Sequence, residues 1–537
     1  MKTRDTFAMQ SRTICAWQIF RGWLCAFSAL LVLAFAPNVA AQDSPNIVLI
    51  LADDLGFSDL GCYGGEIETP NLDTLATNGI RYSQFYNTGR CWPTRASLLT
   101  GYYAQQVRRD RFYDWQPEFK TGGQGVRPDW APLISVALGK AGYRCYHSGK
   151  WHMNGAPMKN GFHGSYSLDD HGRFFSPKRH LLDGMALPQP ARDSGYYATT
   201  AIADHTIESL VSHAEEFSDQ PFFQFVAFTA PHFPLHALPE DIEKYRGKYD
   251  QGWNELRNQR WQRMQESKLF PTQLSEFESE IGPPYKFADD LAQLGAGESE
   301  FPVAWDELSD EQKRFQATKM EIHAAMVDRM DQEIGRIVEQ LRSMGELENT
   351  LIVFLSDNGA SAEIMIRDDG HDPMAEMGSA GSHLCLGPGW STNCNAPFRK
   401  HKTWVHEGGI ATPCIVHWPA QVKISNMWHQ QVAHVIDIVP TIMEVAGIES
   451  ESADKPFMPG ISLLDSIQGE IILKSRELWW YHDGHKAIRD ENWKLVNSKG
   501  SQWELFDLNQ DRAETNDLAD ERSDLKQMLA DKWKTMA

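Results

Sequence analysis

Positive charge is what this chain lacks most: 51 Lys and Arg against 72 Asp and Glu leave a formal charge of −21 at pH 7 over 537 residues. That balance argues against nucleic acid as a partner, because phosphate-backbone binding needs a basic face, although a local basic pocket stays open. Cysteine is also scarce. Of the eight, Cys15 and Cys25 fall in an N-terminal leader, and Cys91 is set aside for the chemistry below. The remaining Cys62, Cys145, Cys385, Cys394 and Cys414 are an odd set, which excludes a disulfide framework. A single Cys385–Cys394 bridge and buried free thiols both remain open. No Asn-x-Ser/Thr acceptor occurs, which favours a bacterial periplasmic or secreted setting over a lysosomal one. Internal repeats, low-complexity tracts and membrane-length apolar runs are missing as well.

Lys2, Arg4, Arg12 and Arg21 precede the apolar run Trp23 to Ala36, and Val39-Ala40-Ala41 stands before Gln42. Residues 1–41 therefore read as a secretory signal peptide. The apolar core is shorter than the ~20 residues a bilayer span needs, so no stable membrane anchor is expected after cleavage. Gln42 rather than Cys follows the cut, which excludes a lipoprotein acceptor thiol. The remaining length suits a catalytic domain over 42–460 and a smaller C-terminal subdomain over 461–537.

Three short runs are apolar at nearly every position and end in polar residues: Ile47 to Ala52 before Asp53-Asp54, Phe222 to Phe228 before Pro231-His232, and Leu351 to Leu355 before Asp357-Asn358. Such runs suit parallel strands covered by helices on both faces, whose carboxyl ends gather ligands. The fold class is α/β, a large mixed, mostly parallel sheet flanked by helices. Phe315 to Met344 carries apolar residues at helical spacing. The stretch from Trp253 and the segment Pro271 to Asp306 lack clean periodicity and read as a long surface insertion. Beyond Pro456, Leu478 to Tyr481, Trp493 to Val496 and Trp503 to Phe506 read as short strands of a small antiparallel sheet, followed by a charged helix.

Asp53-Asp54 and Asp357-Asn358 offer hard oxygen ligands without clustered His or Cys, which favours Ca²⁺, with Mg²⁺ second, over zinc. Either pair alone is equally an Asp-Asn turn at a strand end. Cys91-Trp92-Pro93-Thr94-Arg95, followed by Ala96-Ser97-Leu98-Leu99-Thr100-Gly101, resembles the maturation signature of type I sulfatases, of the alkaline phosphatase superfamily. Further segments resemble family motifs in the same order: the two acidic pairs around Cys91, Gly149-Lys150-Trp151-His152, Ala230-Pro231-His232-Phe233-Pro234, and Lys402 before Glu407-Gly408-Gly409. The resemblance runs from about Pro45 to Leu518, and the segment Pro388 to Trp418, with Asn395 to Arg399 before Lys402, is similar to the arylsulfatase branch. Thr94 stands where many members have Ser, and Gly101-Tyr102-Tyr103-Ala104 lacks the usual basic residue.

The resemblance implies that a formylglycine-generating enzyme oxidises Cys91 to Cα-formylglycine, whose hydrate attacks the sulfur of a sulfate ester and then expels sulfate by collapsing to the aldehyde. It also implies one Ca²⁺ per chain held by Asp53, Asp54, Asp357, Asn358 and modified Cys91. Arg95 would orient the formylglycine, Asp357 would activate the attacking hydroxyl, and Lys150 would hold a sulfate oxygen and that hydroxyl. His152 would take the proton from the second hydroxyl. His232 would contact sulfate and protonate the leaving alcohol, with Lys402 neutralising the bridging oxygen. His236 is a candidate substrate contact. Lys150 and His152 are expected to point the same way because residues two apart do so in extended chain.

The alcohol would be recognised by rim loops. Candidates are Gly161 to Pro177 with Asp169, Asp170, His171 and Arg173; Ser361 to Trp390; and Trp479 to Lys486 with His482 and His485. These suit a sulfated glycan, or an aryl or other small-molecule ester. Two other readings are a formylglycine-dependent phosphonate monoester or phosphodiester hydrolase, and a catalytically silent binding homologue.

Overall fold

Asn46–Asp53 (β1) is buried at all eight positions. Its side chains alternate between two cores: Val48, Ile50 and Ala52 enter one, and Ile47, Leu49 and Leu51 the other. This alternation of a fully buried strand is the physical meaning of an apolar run without polar interruptions. The structure is a computed structural model that describes residues 44–110, 125–269, 272–449, 456–469 and 476–536. The signal peptide read over 1–41 lies outside the described residues.

After β1 come β2 (Ile80–Tyr86), β3 (Arg144–Gly149), β4 (Gly164–Leu168), β5 (His180–Leu182), β6 (Met185–Ala186), β7 (Phe222–Pro231), β8 (Thr350–Ser356), β9 (Ala411–His417), β10 (Met427–His429) and β11 (Ala433–His434). They form one 11-stranded sheet in the order β10-β2-β9-β8-β1-β7-β3-β4-β5-β6, with β11 also on β2. The centre, β8-β1-β7-β3-β4, is parallel throughout. β9 runs antiparallel to both its neighbours, and β5 and β6 run antiparallel at the far edge. The expected α/β class with a mixed, mostly parallel sheet is therefore what the chain forms. The long helix begins earlier than its apolar stripe, at Asp310, because Ser309 and Gln312 close a capping box there.

The stretch from Trp253 corrects the sequence reading. Gly252–Glu266 is a helix, and its inward face carries Trp253, Leu256, Arg257, Arg260 and Met264. Two of those inward residues are arginines, which masks the apolar period. Arg260 is fully buried and pairs with Asp59 at 2.7 Å and Glu66 at 2.7 Å. The Cys385–Cys394 bridge does not form, and both thiols are free and buried. Helix Gly387–Cys394 separates them, and at ~1.5 Å per residue that exceeds the ~7 Å Cα reach of a disulfide. No helix among the described residues is long and apolar enough to cross a membrane.

The C-terminal sheet is antiparallel: β12 (Glu477–His482), β13 (His485–Asp490), β14 (Trp493–Asn497) and β15 (Trp503–Asp507). β13 adds a strand to the three expected, because His-Lys-Ala-Ile-Arg-Asp carries too few apolar residues to stand out. The terminal helix Ser523–Met536 stacks Trp533 on Trp479, centroids 5.6 Å apart. A buried charge cluster ties this sheet to the main one. Lys494 Nζ lies 2.8 Å from both Glu407 and Glu514, Arg512 pairs with Glu407 at 2.7 Å, and Tyr86 donates to Glu407 at 2.9 Å. Glu407 of the Glu-Gly-Gly segment thus anchors the sheet. Lys494→Ala leaves two buried carboxylates short of a partner, so it should destabilise the fold by about 3–5 kcal/mol, measurable as a lowered urea midpoint; an unchanged midpoint would remove the anchor role.

Candidate active site

Strand register assembles the site. Ala52 of β1 sits opposite Ser356 of β8, so Asp53 and Asp357 emerge side by side. On the other flank Asp53 pairs with Pro231 of β7, which brings His232 alongside, and Gly149 of β3 pairs with Ala227, which places Lys150 next. Four adjacent parallel strands therefore deliver Asp357-Asn358, Asp53-Asp54, His232 and Lys150 to one carboxyl edge. A register slip of one residue would scatter them.

The turn residues are unusual for a reason. Asp54 and His152 both have left-handed backbone, with φ of 66° and 52°, a conformation that non-glycine residues adopt at a cost and that recurs at functional sites. Gly149 has φ 114°, and a Cβ there would lie 2.0 Å from the carbonyl oxygen of Ala227, so the motif's glycine is compulsory. This revises the expected geometry of Lys150 and His152. β3 ends at Gly149, and the left-handed turn at His152, rather than extended alternation, sets where its ring points. Trp151 goes the other way into the core, its indole donating to Gly155 at 2.5 Å.

Cys91 is the first residue of helix Cys91–Thr100 and is 3% exposed. Burial pushes its thiol pKa up, while Lys150 and Lys402 pull the other way. One turn along, Arg95 is completely buried and donates to Asp357 at 2.9 and 3.1 Å, to Asp53 at 3.3 Å and to the Lys150 carbonyl at 2.7 Å. Lys150 pairs with Asp53, and Lys402 donates to Asp54 at 2.8 Å. Burial would push Asp53 up, but Lys150, His232 and Arg95 hold it below the usual carboxylate range. Its neighbour takes the opposite course: burial, reinforced by the Asp53 charge, pushes Asp357 up to about 7. His152 and His232 are held well below their ordinary value by burial, with Lys150 adding to the first and Lys402 to the second. His232 Nδ1 sits 2.5 Å from the Phe233 carbonyl, which as a donor leaves Nε2 facing Asp54 Oδ2 at 3.7 Å.

A divalent cation fits these donors. Asp53 Oδ1 and Asn358 Oδ1 are buried without a hydrogen-bond partner among the described residues. Unpartnered buried acceptors are costly unless something electropositive reaches them. Ligand atoms of Asp53, Asp54 and His232 all lie within 4.8 Å of one another. Asn358 Nδ2 donates to Asp54 Oδ1 at 2.7 Å, which turns the amide oxygen away from that carboxylate. The set is rich in hard oxygen, as calcium or magnesium requires.

Cys91, Arg95, Lys150, His152, His232 and Lys402 thus gather around the four acidic and amide residues. His236 does not join them: it is buried against Phe174 and Phe175, with Nε2 2.7 Å from the Ser382 carbonyl. Glu363 escapes a residue-by-residue reading of the sequence. It is 1% exposed, lies 3.0 Å from Lys402 and 2.9 Å from Arg90, and receives the Ser361 hydroxyl at 3.0 Å. Nothing local marks it, since the two cations it pairs with, Lys402 and Arg90, are remote in sequence. Of the rim segments, β12 does reach inward: His482 packs on Trp92 with centroids 5.6 Å apart and bonds Asp110 at 2.9 Å.

Residues 45–448 match the family described as sulfatase, and residues 399–537 match N-sulphoglucosamine sulphohydrolase, C-terminal. An uncharacterised sulfatase of Schizosaccharomyces pombe is 32% identical over 92% of this chain and 93% of its own length. An arylsulfatase of Klebsiella aerogenes is 31% identical over 82% of this chain and 95% of its own. The solved structure of Ps i-CgsB in complex with k-i-k-neocarrahexaose shares the fold, with a TM-score of 0.64 at 22% identity, covering 92% of this chain and 93% of that one. The chain belongs to the sulfatase family, hydrolases of the alkaline-phosphatase-like fold.

Proposed function

We propose that the protein is exported, acquires formylglycine at Cys91, binds one Ca²⁺ through Asp53, Asp54, Asp357 and Asn358, and releases inorganic sulfate from a sulfated carbohydrate. The observation that carries this reading is the convergence of Arg95, Lys150 and Lys402 on buried carboxylates beside Cys91. Formylglycine would supply a hydrated aldehyde as nucleophile, and the cation would supply charge that acidifies it and polarises the sulfate. The chain's own residues do the rest. Arg95 is pinned by two carboxylates and fixes the floor of the pocket. Lys150 and Lys402 place positive charge on either side of a dianionic transition state, where buried charge acts strongly. His152, neutral at pH 7, is able to accept a proton on the nucleophile side. His232 would donate to a departing alkoxide from Nε2, which lies 3.7 Å from Asp54 Oδ2. With Nδ1 bonded to the Phe233 carbonyl the neutral ring leaves Nε2 without a proton, so this role requires that it first take one up.

A cavity of about 360 Å³ adjoins the pocket, lined by Lys150, His152, Ser167, Asp169 and His171 among others. Its size suits a small ligand, and its hydroxyl and carboxylate lining supports a sugar. The test is expression with a formylglycine-generating enzyme and measurement of sulfate release from an aryl sulfate and a panel of sulfated mono- and polysaccharides. Release from sugars supports the reading. Turnover of phosphodiesters or phosphonates in preference to sulfate esters would overturn it, and silence on every ester would leave a binding homologue.

The raised Asp357 pKa gives a pH prediction for chelator-stripped protein. Its folded value of about 7 lies above the unfolded ~3.9. Stability from this group is therefore complete below the unfolded value and lost as pH rises through the folded one. A cation that displaces the Asp357 proton reverses this, so calcium at one fixed concentration should raise the melting temperature more at pH 7.5 than at pH 5.5; where that concentration is a hundredfold excess over Kd, the whole stabilisation is about 2.7 kcal/mol. An equal shift at both pH values would count against Asp357 as a ligand.

A further inference from the structure

His171 lies in the loop between β4 and β5, outside the strand ends that build the site. Its ring centroid is 5.6 Å from that of His152 and 5.7 Å from that of His232, edge-on to the latter. It therefore neighbours both side chains, those assigned to the nucleophile and to the leaving-group end of the reaction. The ring has no hydrogen-bond partner among the described residues, and it is half-buried on the wall of the 360 Å³ cavity that Lys150 and His152 also line. An imidazole has two nitrogens that must bond something. Here the space available to them is the cavity that Lys150 and His152 share.

The loop that carries it is held in place. Asp170, 2% exposed, accepts from the Lys178 backbone at 2.8 Å and pairs with Arg173. Arg173 then bonds Asp369 of the opposite rim segment at 2.9 Å. A contact residue with its neighbours fixed in this way is preorganised rather than adaptable. Burial and neighbouring cations, Lys150 first among them, hold the ring neutral, so it carries one N–H donor.

We propose that His171 is a substrate-contacting residue of the sulfate pocket, donating a hydrogen bond to a non-bridging sulfate oxygen of the ester, alongside Lys150. The inference rests on the sulfatase reading above. Because the contact is to sulfate and not to the alcohol, His171→Ala should lower kcat/KM for an aryl sulfate and for a sulfated monosaccharide alike, by roughly 10- to 100-fold. It should also weaken competitive inhibition by inorganic sulfate, with the melting temperature unchanged. His171→Gln, which retains an N–H donor, should recover part of the loss. A purely structural role would move the melting temperature and leave the sulfate inhibition constant alone. Unchanged kinetics in His171→Ala, or a loss confined to the sugar ester, would overturn the assignment while wild-type sulfate release still upheld the sulfatase reading. Wild type that releases no sulfate, with formylglycine verified at position 91 by mass spectrometry, would remove the reading itself.

Discussion

Cys91→Ala, produced beside a formylglycine-generating enzyme, should lose at least roughly a thousandfold in sulfate release while keeping its fold. On the proposed function the loss is large because every other group in the pocket would act on what position 91 does. Arg95, Lys150 and Lys402 are arranged around that residue, and without a nucleophile they can only bind the ester. The fold survives because the thiol contributes little packing: the helix from Cys91 to Thr100 is held by Pro93, Thr94, Arg95 and the buried leucines behind it. Cys91→Ser, left unmodified, separates two kinds of failure. A serine hydroxyl could accept the sulfuryl group once, but it has no second hydroxyl to expel it, so steady-state turnover should be absent. Substantial turnover in Cys91→Ala would move the nucleophile elsewhere and with it the functional reading. A melting temperature far below wild type would instead show that position 91 is needed for packing.

The legible part of the site is the part written in contiguous residues. The strand ends carry their own signature, an apolar run that stops at Asp53-Asp54 or Asp357-Asn358, because burial on both faces demands apolar residues up to the point where the ligand edge begins. Gly149 is visible within a motif, though the reason for it, the approach of the Ala227 carbonyl, is not. Groups that act through remote partners leave no such mark. Glu363 steadies Lys402 and Arg90, which lie 39 and 273 residues away, and no local pattern encodes that meeting. Helix Gly252–Glu266 is hidden for a related reason. Its buried face is partly arginine, and partners outside the helix, Asp59 and Glu66 for Arg260 and Ser275 for Arg257, make such a face stable. The backbone turn at His152 is hidden as well, since a left-handed histidine looks like any other in the sequence.

Asp53→Asn should be the second most damaging change, and it tests the cation site more cleanly than a larger replacement. The substitution keeps the shape of the side chain but removes the charge that Lys150 and Arg95 now share. It also replaces one of two carboxylate oxygens by an amide nitrogen that cannot ligate. Calcium affinity should fall, and kcat/KM with it, by something on the order of a hundredfold, the scale of losing one well-placed electrostatic contact. Two readouts separate the causes. Metal content per chain after dialysis against limiting calcium reports the site itself, and the activity recovered at high calcium reports how much of the loss is weaker binding. Partial rescue by calcium would make Asp53 a ligand whose charge mainly sets affinity. No rescue, with metal content still reduced, would mean that the carboxylate also holds Lys150 in place for the reaction. Unchanged metal content together with unchanged activity would sever Asp53 from the cation altogether, and its orphaned Oδ1 would then need another explanation.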